Sequence, residues 1–583
     1  MRSMCTGGRW GGAASAAALL FLLTAGCGDS SSNDEPVVTG DAGADTVDTG
    51  AGGSGGGSEA GSDVAVDAPG KTTLSLPQFV RGAARVNTAA FAQIPLVIET
   101  TGAASDAVQV KVDDGQPIAA VADGTRWVAT LDTKAMGNGS HPIVVSSLQS
   151  GAQTGTLSAT LSVASDSLQL TDYATVGPGF NSNFAHDKAG DRIALTWTSV
   201  ASGHHQTFLN FFDGAFQKLE ASDLVISEPS DTALAGWTAF GKEGIGVVYL
   251  TPKPNDVHWL VKMRVVGWDG AEKMATAELT EGEAAFHDAQ AGADPGGFSA
   301  AWLHISPPPA DPNEPLPPVE LRFARYDLAS AKMVGPITLD SDQPQPSPST
   351  QGALRLEPLA EINVACNKDV CLVSYTRNVY NAYVDLNIPK LHIAVVDLAT
   401  GTMKGTPTAV SDGDWDTQMF GHQLIALEDG SFVMVYTATD TAAAVNPKSP
   451  CDETLERDLL FAMKISASGT WSDPPAPIFD FEGTRQYPRI AVHPAGYALF
   501  WEDQRSECNP NGHLRMAMNV ASPALDQLLD PYLEVPGSVG LPPEYPTLAV
   551  TGTNFAVGWS DNRHGNGILD SKSEIFLDSY WRK

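Results

Sequence analysis

Basic residues are scarce in this chain of 583 residues. Lys and Arg number 35 against 68 Asp and Glu, a formal charge of −33. Nucleic acid binding needs a cationic footprint, so that class is excluded. Cysteine is scarce as well, with six in all. No CxxC pair and no Cys/His spacing suited to zinc occurs. There is no Gly-x-Ser-x-Gly elbow and no His-Glu-x-x-His helix, which removes the common serine-hydrolase and zinc-protease signatures. The apolar run Ala13 to Leu23 is too short to span a bilayer comfortably.

That run follows Arg2 and Arg9, a signal-peptide pattern. It leads into Leu22-Leu23-Thr24-Ala25-Gly26-Cys27-Gly28-Asp29-Ser30. The segment resembles the bacterial lipobox, in which small residues precede a cysteine that is diacylated and becomes the new N-terminus. Thr24 stands where that family prefers Leu. The resemblance implies a signal peptide over residues 1–26, lipidation at Cys27, and an exported protein anchored to the cell envelope membrane. Gly28 after the cysteine leans, by resemblance to enterobacterial sorting, towards the outer membrane. Lipid chains contribute about 0.8 kcal/mol per buried CH₂, so several hold a domain firmly. Residues 27–70 are rich in Gly, Ser, Ala and Asp, as in Ser54-Gly55-Gly56-Gly57-Ser58. Such a stretch does not offset its ordering entropy and is expected to be a disordered tether. Its r.m.s. span is roughly 35 Å.

Beyond the anchor, four cysteines remain: Cys366, Cys371, Cys451 and Cys508, with three possible pairings. Cys366 and Cys371 flank the turn Asn367-Lys368-Asp369, so a local bridge leaves Cys451 for Cys508. An acidic surface suits solubility and can hold Ca²⁺ through carboxylates; no other cofactor is expected.

The remaining 500 or so residues exceed one ordinary core. Residues 71–165 read as short strands. Val108-Gln109-Val110-Lys111-Val112 alternates cleanly into the turn Asp113-Asp114-Gly115, and Trp127-Val128-Ala129-Thr130-Leu131 is a further strand. With Asp123, Gly124, Asp132, Gly139, His141, Ile143 and Val145, this stretch resembles bacterial immunoglobulin-like domains. The resemblance implies a β-sandwich and a spacer role, with Trp127 in the core and His141 at a strand edge.

Over residues 166–583 a strand ending in an aromatic recurs seven times, at Trp197, Tyr249, Trp302, Tyr375, Tyr436, Trp501 and Trp559, spaced 52 to 73 residues apart. Each copy follows an apolar strand and a turn, and precedes a third strand and a weaker fourth. Seven four-stranded units describe a β-propeller, because a lone four-stranded sheet leaves its faces bare and radial stacking covers them. The fold class is therefore all-β, an N-terminal immunoglobulin-like β-sandwich followed by a seven-bladed β-propeller. The last two units, Trp501-Glu502-Asp503-Gln504-Arg505 and Trp559-Ser560-Asp561-Asn562-Arg563 with Glu574-Ile575, resemble sialidase-like surface propellers. The chain ends on a third strand, so residues 167 to 175 are expected to complete the seventh blade and remove an open edge. Cys451 and Cys508 fall in equivalent loops of adjacent blades, which suits a bridge between them. A monomer is expected.

Sialidase chemistry needs an arginine triad, a Tyr/Glu nucleophile pair and an acid/base Asp, and its S-x-D-x-G-x-T-W boxes are absent. Asp503 with Arg505, and Asp561, Arg563 and Glu574, read as turn and salt-bridge devices. His204-His205 reads as a solvated loop pair. Aligning the repeats on the aromatic places Asn183, His287, Asp288, Glu361, His422, Tyr487 and Glu544 at the start of the innermost strands, around the channel mouth. Two histidines with carboxylates suit a metal, and paired carboxylates suit acid/base work. With no complete catalytic motif, the expectation is a membrane-anchored lipoprotein whose propeller binds a surface protein or glycan, or serves as a scaffold. The alternative is an extracellular carbohydrate-active enzyme, a glycoside hydrolase or lyase, at the same mouth.

Overall fold

Alternating apolar residues pair into antiparallel strands throughout the computed structural model. It describes residues 71–582, apart from segments at 172–178, 202–203, 234–235, 254–258, 281–284, 307–313, 316, 344, 347–354, 357, 382–385, 411–418, 441–456, 472–475, 479–483, 505–514, 532, 536–543 and 562–573. The expected signal peptide, Cys27, the expected tether, Cys451 and Cys508 all lie outside the described residues. Only one short helix, Thr133–Met136, interrupts the described strands; Asp132 caps it by accepting from the Ala135 N–H. No described helix is long and apolar enough to cross a membrane.

The first strands form two sheets. One contains Thr72–Ser75, Gln93–Gly102, Arg126–Asp132 and Val121–Asp123. The other contains Ala83–Asn87, Ala152–Ala164, Gly139–Gln149, Ala107–Val112 and Ile118–Ala119. Period-two alternation points Ile94, Leu96 and Ile98 of one sheet and Val108, Val110, Ile143 and Val145 of the other into one core, where each is fully buried. Trp127 packs at its margin, and His141 pairs with Asp113 at 2.8 Å beside the turn.

Seven further antiparallel blades make a β-propeller. Blade 1 runs Gly179–Asp187, Arg192–Ala201, His204–Phe212 and Leu224–Val225. Blade 2 begins at Gly236–Gly241, blade 3 at Ala285–Asp294, blade 4 at Leu359–Cys366, blade 5 at Met419–Ala426, blade 6 at Thr484–His493 and blade 7 at Glu544–Thr551. Blades 2 and 3 are joined into one sheet by the pairing of Trp259 with Ala285. Each innermost strand touches those of the adjacent blades, and blade 7 touches blade 1, so the ring is closed. The closure is the expected one, on a shorter strand: Leu168–Gln169 pairs with Glu574–Tyr580, in the register Leu168 to Leu577.

The recurrent aromatics are buried between blades. Separate apolar clusters join blade 1 to 2, 2 to 3, 3 to 4, 4 to 5, 5 to 6 and 7 to 1. Trp302, Tyr375, Trp501 and Trp559 have no solvent contact. The hairpin between Cys366 and Cys371 carries the expected local disulfide, and Ser299 of blade 3 approaches Cys371 Sγ at 3.6 Å.

The sandwich does not stand off as a spacer. Its apolar core runs on into blades 6 and 7 through Phe500, Met518, Phe555, Tyr580 and Trp581. Trp581 Nε1 donates to the Arg85 carbonyl at 2.7 Å, and Phe91 meets Tyr580 edge-on. Asp578, fully buried, accepts from Asn87 Nδ2 at 2.7 Å and from Ser167 Oγ at 3.1 Å. Burial pushes the Asp578 carboxyl up from its ordinary value, opposed by these donors and by Arg85.

Candidate functional site at the channel mouth

One irregularity repeats around the channel. In blades 1, 4, 5, 6 and 7 the innermost strand carries an extra residue directly opposite the recurrent aromatic of the second strand. In blade 4, Ala360 pairs with Thr376 and Asn363 with Ser374, so Glu361 and Ile362 share the place opposite Tyr375. A bulge of this kind bends the strand and re-aims its side chains. Three of the bulges open in the left-handed region: Glu361 at φ 52°, Gly421 at φ 55° and Tyr487 at φ 49°. A residue other than glycine is held there at about 1–2 kcal/mol. Glycine is required in blade 5, because a Cβ on Gly421 would lie 2.9 Å from the Tyr487 backbone nitrogen.

In blades 4 to 7 the residue after the bulge stitches its blade to the next. Asn363 Nδ2 donates to the His422 carbonyl at 2.8 Å. Gln423 Oε1 accepts from the Ile490 N–H at 2.6 Å. Arg489 Nε donates to the Pro546 carbonyl at 2.8 Å. Thr547 Oγ1 accepts from the Phe184 N–H at 2.9 Å. The same step is occupied by Asn183 in blade 1, by Trp237 in blade 2 and by Gln290 in blade 3.

The register separates the residues that alignment on the aromatic had grouped. Asn183 is at the stitching step itself. Glu361 and Tyr487 open their bulges two residues earlier, and His422 is the second residue of its bulge. His287, Asp288 and Glu544 lie on the innermost strands of blades 3 and 7, two or three residues ahead of that step, with side chains outside the described residues. The physical reason is the bulge: each extra residue shifts the count by one relative to the aromatic.

Glu361, His422 and Tyr487 are brought together, with two residues the sequence reading passed over, Arg489 and Glu502. Glu361 Oε2 accepts from the Gly421 N–H at 2.8 Å, and His422 Nδ1 lies 3.9 Å from the same oxygen. The His422 side chain has no solvent contact, whereas that of Glu361 is 32% exposed. Neither His422 ring nitrogen meets hydrogen-bond geometry with a described residue. Burial pushes its imidazole down to about 4 and Arg489 adds to the drop, although the nearby Ser374 backbone favours the protonated form. Arg489 is enclosed. Burial lowers its guanidinium, and Glu502, Tyr487 and Glu361 oppose that shift. Glu502 follows the aromatic Trp501, pairs in register with Gln486 and is 3% exposed. The signal for these two residues was available: an arginine inside the apolar strand Pro488 to Val492, and an acid directly after a buried tryptophan. Asp503 is likewise buried, while Arg505 lies outside the described residues. No cluster of three or more metal-ligating side chains occurs among the described residues.

No known family and no curated protein matches the chain. Solved structures do resemble it. An α-L-arabinanase of Penicillium chrysogenum complexed with arabinobiose is 10% identical, covers 71% of this chain and 98% of its own, and has a TM-score of 0.38. A GH93 α-L-arabinofuranosidase of Fusarium graminearum, also with arabinobiose, is 10% identical over 71% of this chain and 97% of its own, at 0.37. A Dyadobacter fermentans protein of unknown function is 11% identical over 72% and 98%, at 0.37. The expectation of a propeller that only binds a partner or serves as a scaffold is corrected. The structures it resembles include an α-L-arabinanase and an α-L-arabinofuranosidase, on the side of the enzyme alternative. A likeness this slight carries no argument about chemistry, which rests on the chain's own residues.

Proposed function

We propose that the chain is a glycoside hydrolase working at the channel mouth of its propeller. The observation that supports it is the arrangement of Glu361 and Glu502. They come from different blades, differ in burial, and both act electrostatically on one part-buried guanidinium, that of Arg489. Glycosidic cleavage uses two carboxyl groups, one giving a proton to the leaving oxygen and the other acting as base or nucleophile. Unlike surroundings assign unlike roles. Glu502, almost without solvent, is the candidate acid. Glu361, about a third exposed and held by the Gly421 N–H, is the candidate base or nucleophile. His422 lies beside Glu361, its Nδ1 3.9 Å from Oε2.

The reading includes export and anchoring through a lipid on Cys27, with residues 27–70 as tether, the sandwich as an immunoglobulin-like domain over residues 71–165, and a monomeric protein. The reading also pairs Cys451 with Cys508, the two cysteines left by the local bridge. The lipobox residues support the anchor, and loss of palmitate labelling in Cys27→Ser tests it. The hydrolase is tested by reducing-sugar release from neutral polysaccharides by the full-length chain. Glu361→Gln and Glu502→Gln are each expected to slow release by about a hundredfold or more. Absence of release by the parent, or unchanged release by both variants, overturns it.

A further inference from the structure

Buried hydroxyls without a hydrogen-bond partner follow the bulges around the ring. In blades 1, 5 and 7 the residue after the recurrent aromatic is Thr198, Thr437 or Ser560, and each is fully buried with no bond from its hydroxyl to a described residue. In blade 4 that residue, Thr376, donates to the Ala360 carbonyl at 3.1 Å, and the orphan is Ser374, one residue before Tyr375. Blades 2 and 3, without a bulge at this step, have Leu250 and Leu303 instead. A bulge leaves the ladder locally unpaired. A buried polar atom left unpaired is costly, and ordered water is its usual partner inside proteins.

The joint between blades 4 and 5 concentrates such atoms. Asn363 and Ser374 are paired in register, so both side chains leave the same face of blade 4. Asn363 Nδ2 reaches the His422 carbonyl at 2.8 Å, which sets that face against His422 of blade 5. The Ser374 backbone acts on the His422 ring. Ser374 Oγ and both His422 ring nitrogens are enclosed and have no bond to a described residue. Glu361 Oε2 takes the Gly421 N–H at 2.8 Å and stands 3.9 Å from His422 Nδ1. That separation is too long for a direct hydrogen bond, and it suits two groups that share a small third one.

We infer that one bound water occupies this joint, bonded to Ser374 Oγ, a His422 ring nitrogen and Glu361 Oε2, and that through it Ser374 and His422 act as positioning residues for Glu361. The positioning role rests on the hydrolase reading; the water does not. Water both donates and accepts, so it fits the imidazole whichever nitrogen carries the proton. It would have three partners, about the usual number for a buried water. A carboxylate that accepts from both the Gly421 N–H and this water is favoured in its ionised form, as a base or nucleophile requires. The other charged group acting on the imidazole is Arg489 of blade 6, which in turn feels Glu502, Tyr487 and Glu361.

Two measurements on the full-length chain separate the two parts. A crystal structure at a resolution that shows ordered water is expected to place one within about 3.2 Å of Ser374 Oγ, Glu361 Oε2 and a His422 ring nitrogen. Missing density there, or density at the short distances of a metal ion, overturns the inference. Rate against pH is then compared for the parent, for Ser374→Ala and His422→Phe, and for Ser374→Thr and His422→Gln, which keep a polar group. Loss of a donor raises the pKa of a carboxylate, so in the first two variants the acid limb of kcat/KM is expected to move up by about one pH unit. Their kcat should fall about tenfold with KM little changed, and the conservative pair should shift less. Limbs that stay in place, or that move equally in the conservative pair, overturn the positioning role. A parent that releases no sugar removes the hydrolase reading and the positioning role with it, while the density still decides the water.

Discussion

Thr547 in blade 7 accepts a hydrogen bond from the backbone N–H of Phe184 in blade 1 at 2.9 Å. This is the stitch that crosses the seam of the ring, and it uses the same bulge-flanking step as Asn363, Gln423 and Arg489. The seam is thus held at its inner edge by a side chain and at its outer edge by the strand Leu168–Gln169. Thr547→Val keeps the shape, removes the acceptor and leaves a buried N–H unpaired. The expected loss is about 1–3 kcal/mol by denaturant unfolding. A loss no greater than that of an exposed control such as Val121→Ala would show that the stitch contributes little.

Asn87 and Asp578 lock the sandwich to the same seam. Asn87→Ala removes the shortest donor to a buried carboxyl whose protonated form burial already favours. A destabilisation of about 1–3 kcal/mol is expected. Because apolar core is shared across this junction, the parent should lose sandwich and propeller in one calorimetric transition. Two well-separated transitions in the parent would contradict the shared core.

The Cys366–Cys371 bridge closes a loop with a sequence separation of only five. Chain entropy then assigns it about 2 kcal/mol. Replacing both cysteines with serine should lower the denaturant midpoint by a corresponding amount without unfolding the chain at room temperature. A much larger loss would mean that Ser299 and the interblade packing around the sulfurs matter more than the cross-link.

His422 gives the stability a pH dependence of definite sign. Its ordinary value is 6.5, and burial holds it at about 4 in the folded protein. Between these values the unfolded chain binds the extra proton and the folded chain does not, so stability falls as pH drops from about 6.5 towards 4. Below that window both states are protonated and this contribution stops changing. Unfolding free energies measured across the window for the parent and His422→Gln should differ in slope by up to one proton. Equal slopes would show that the imidazole charges without cost.

Much of the architecture was legible because it is local and periodic. Alternation at Val108 to Val112, the turn between Cys366 and Cys371, and an aromatic that recurs seven times follow from strand geometry and from the need of each sheet to cover both faces. The closing strand was legible from counting strands. The candidate site was only partly legible. Glu361, His422 and Tyr487 were within reach because they precede recognisable strands, but a bulge adds a residue without altering the apolar pattern around it. Alignment on the aromatics therefore mixed residues of different depth.

The sequence by itself determined the all-β class, the sevenfold repetition, the local disulfide and the scarcity of positive charge, since these depend on residues close together in the chain or on composition alone. Only the tertiary structure decided that the sandwich shares a core with blades 6 and 7, that Gly421 is wedged against Tyr487, and that Arg489 sits among Glu361, Tyr487 and Glu502. Those relations join residues up to several hundred positions apart. Their geometry is set by blade curvature and bulge register, which the packing of the closed ring settles as a whole.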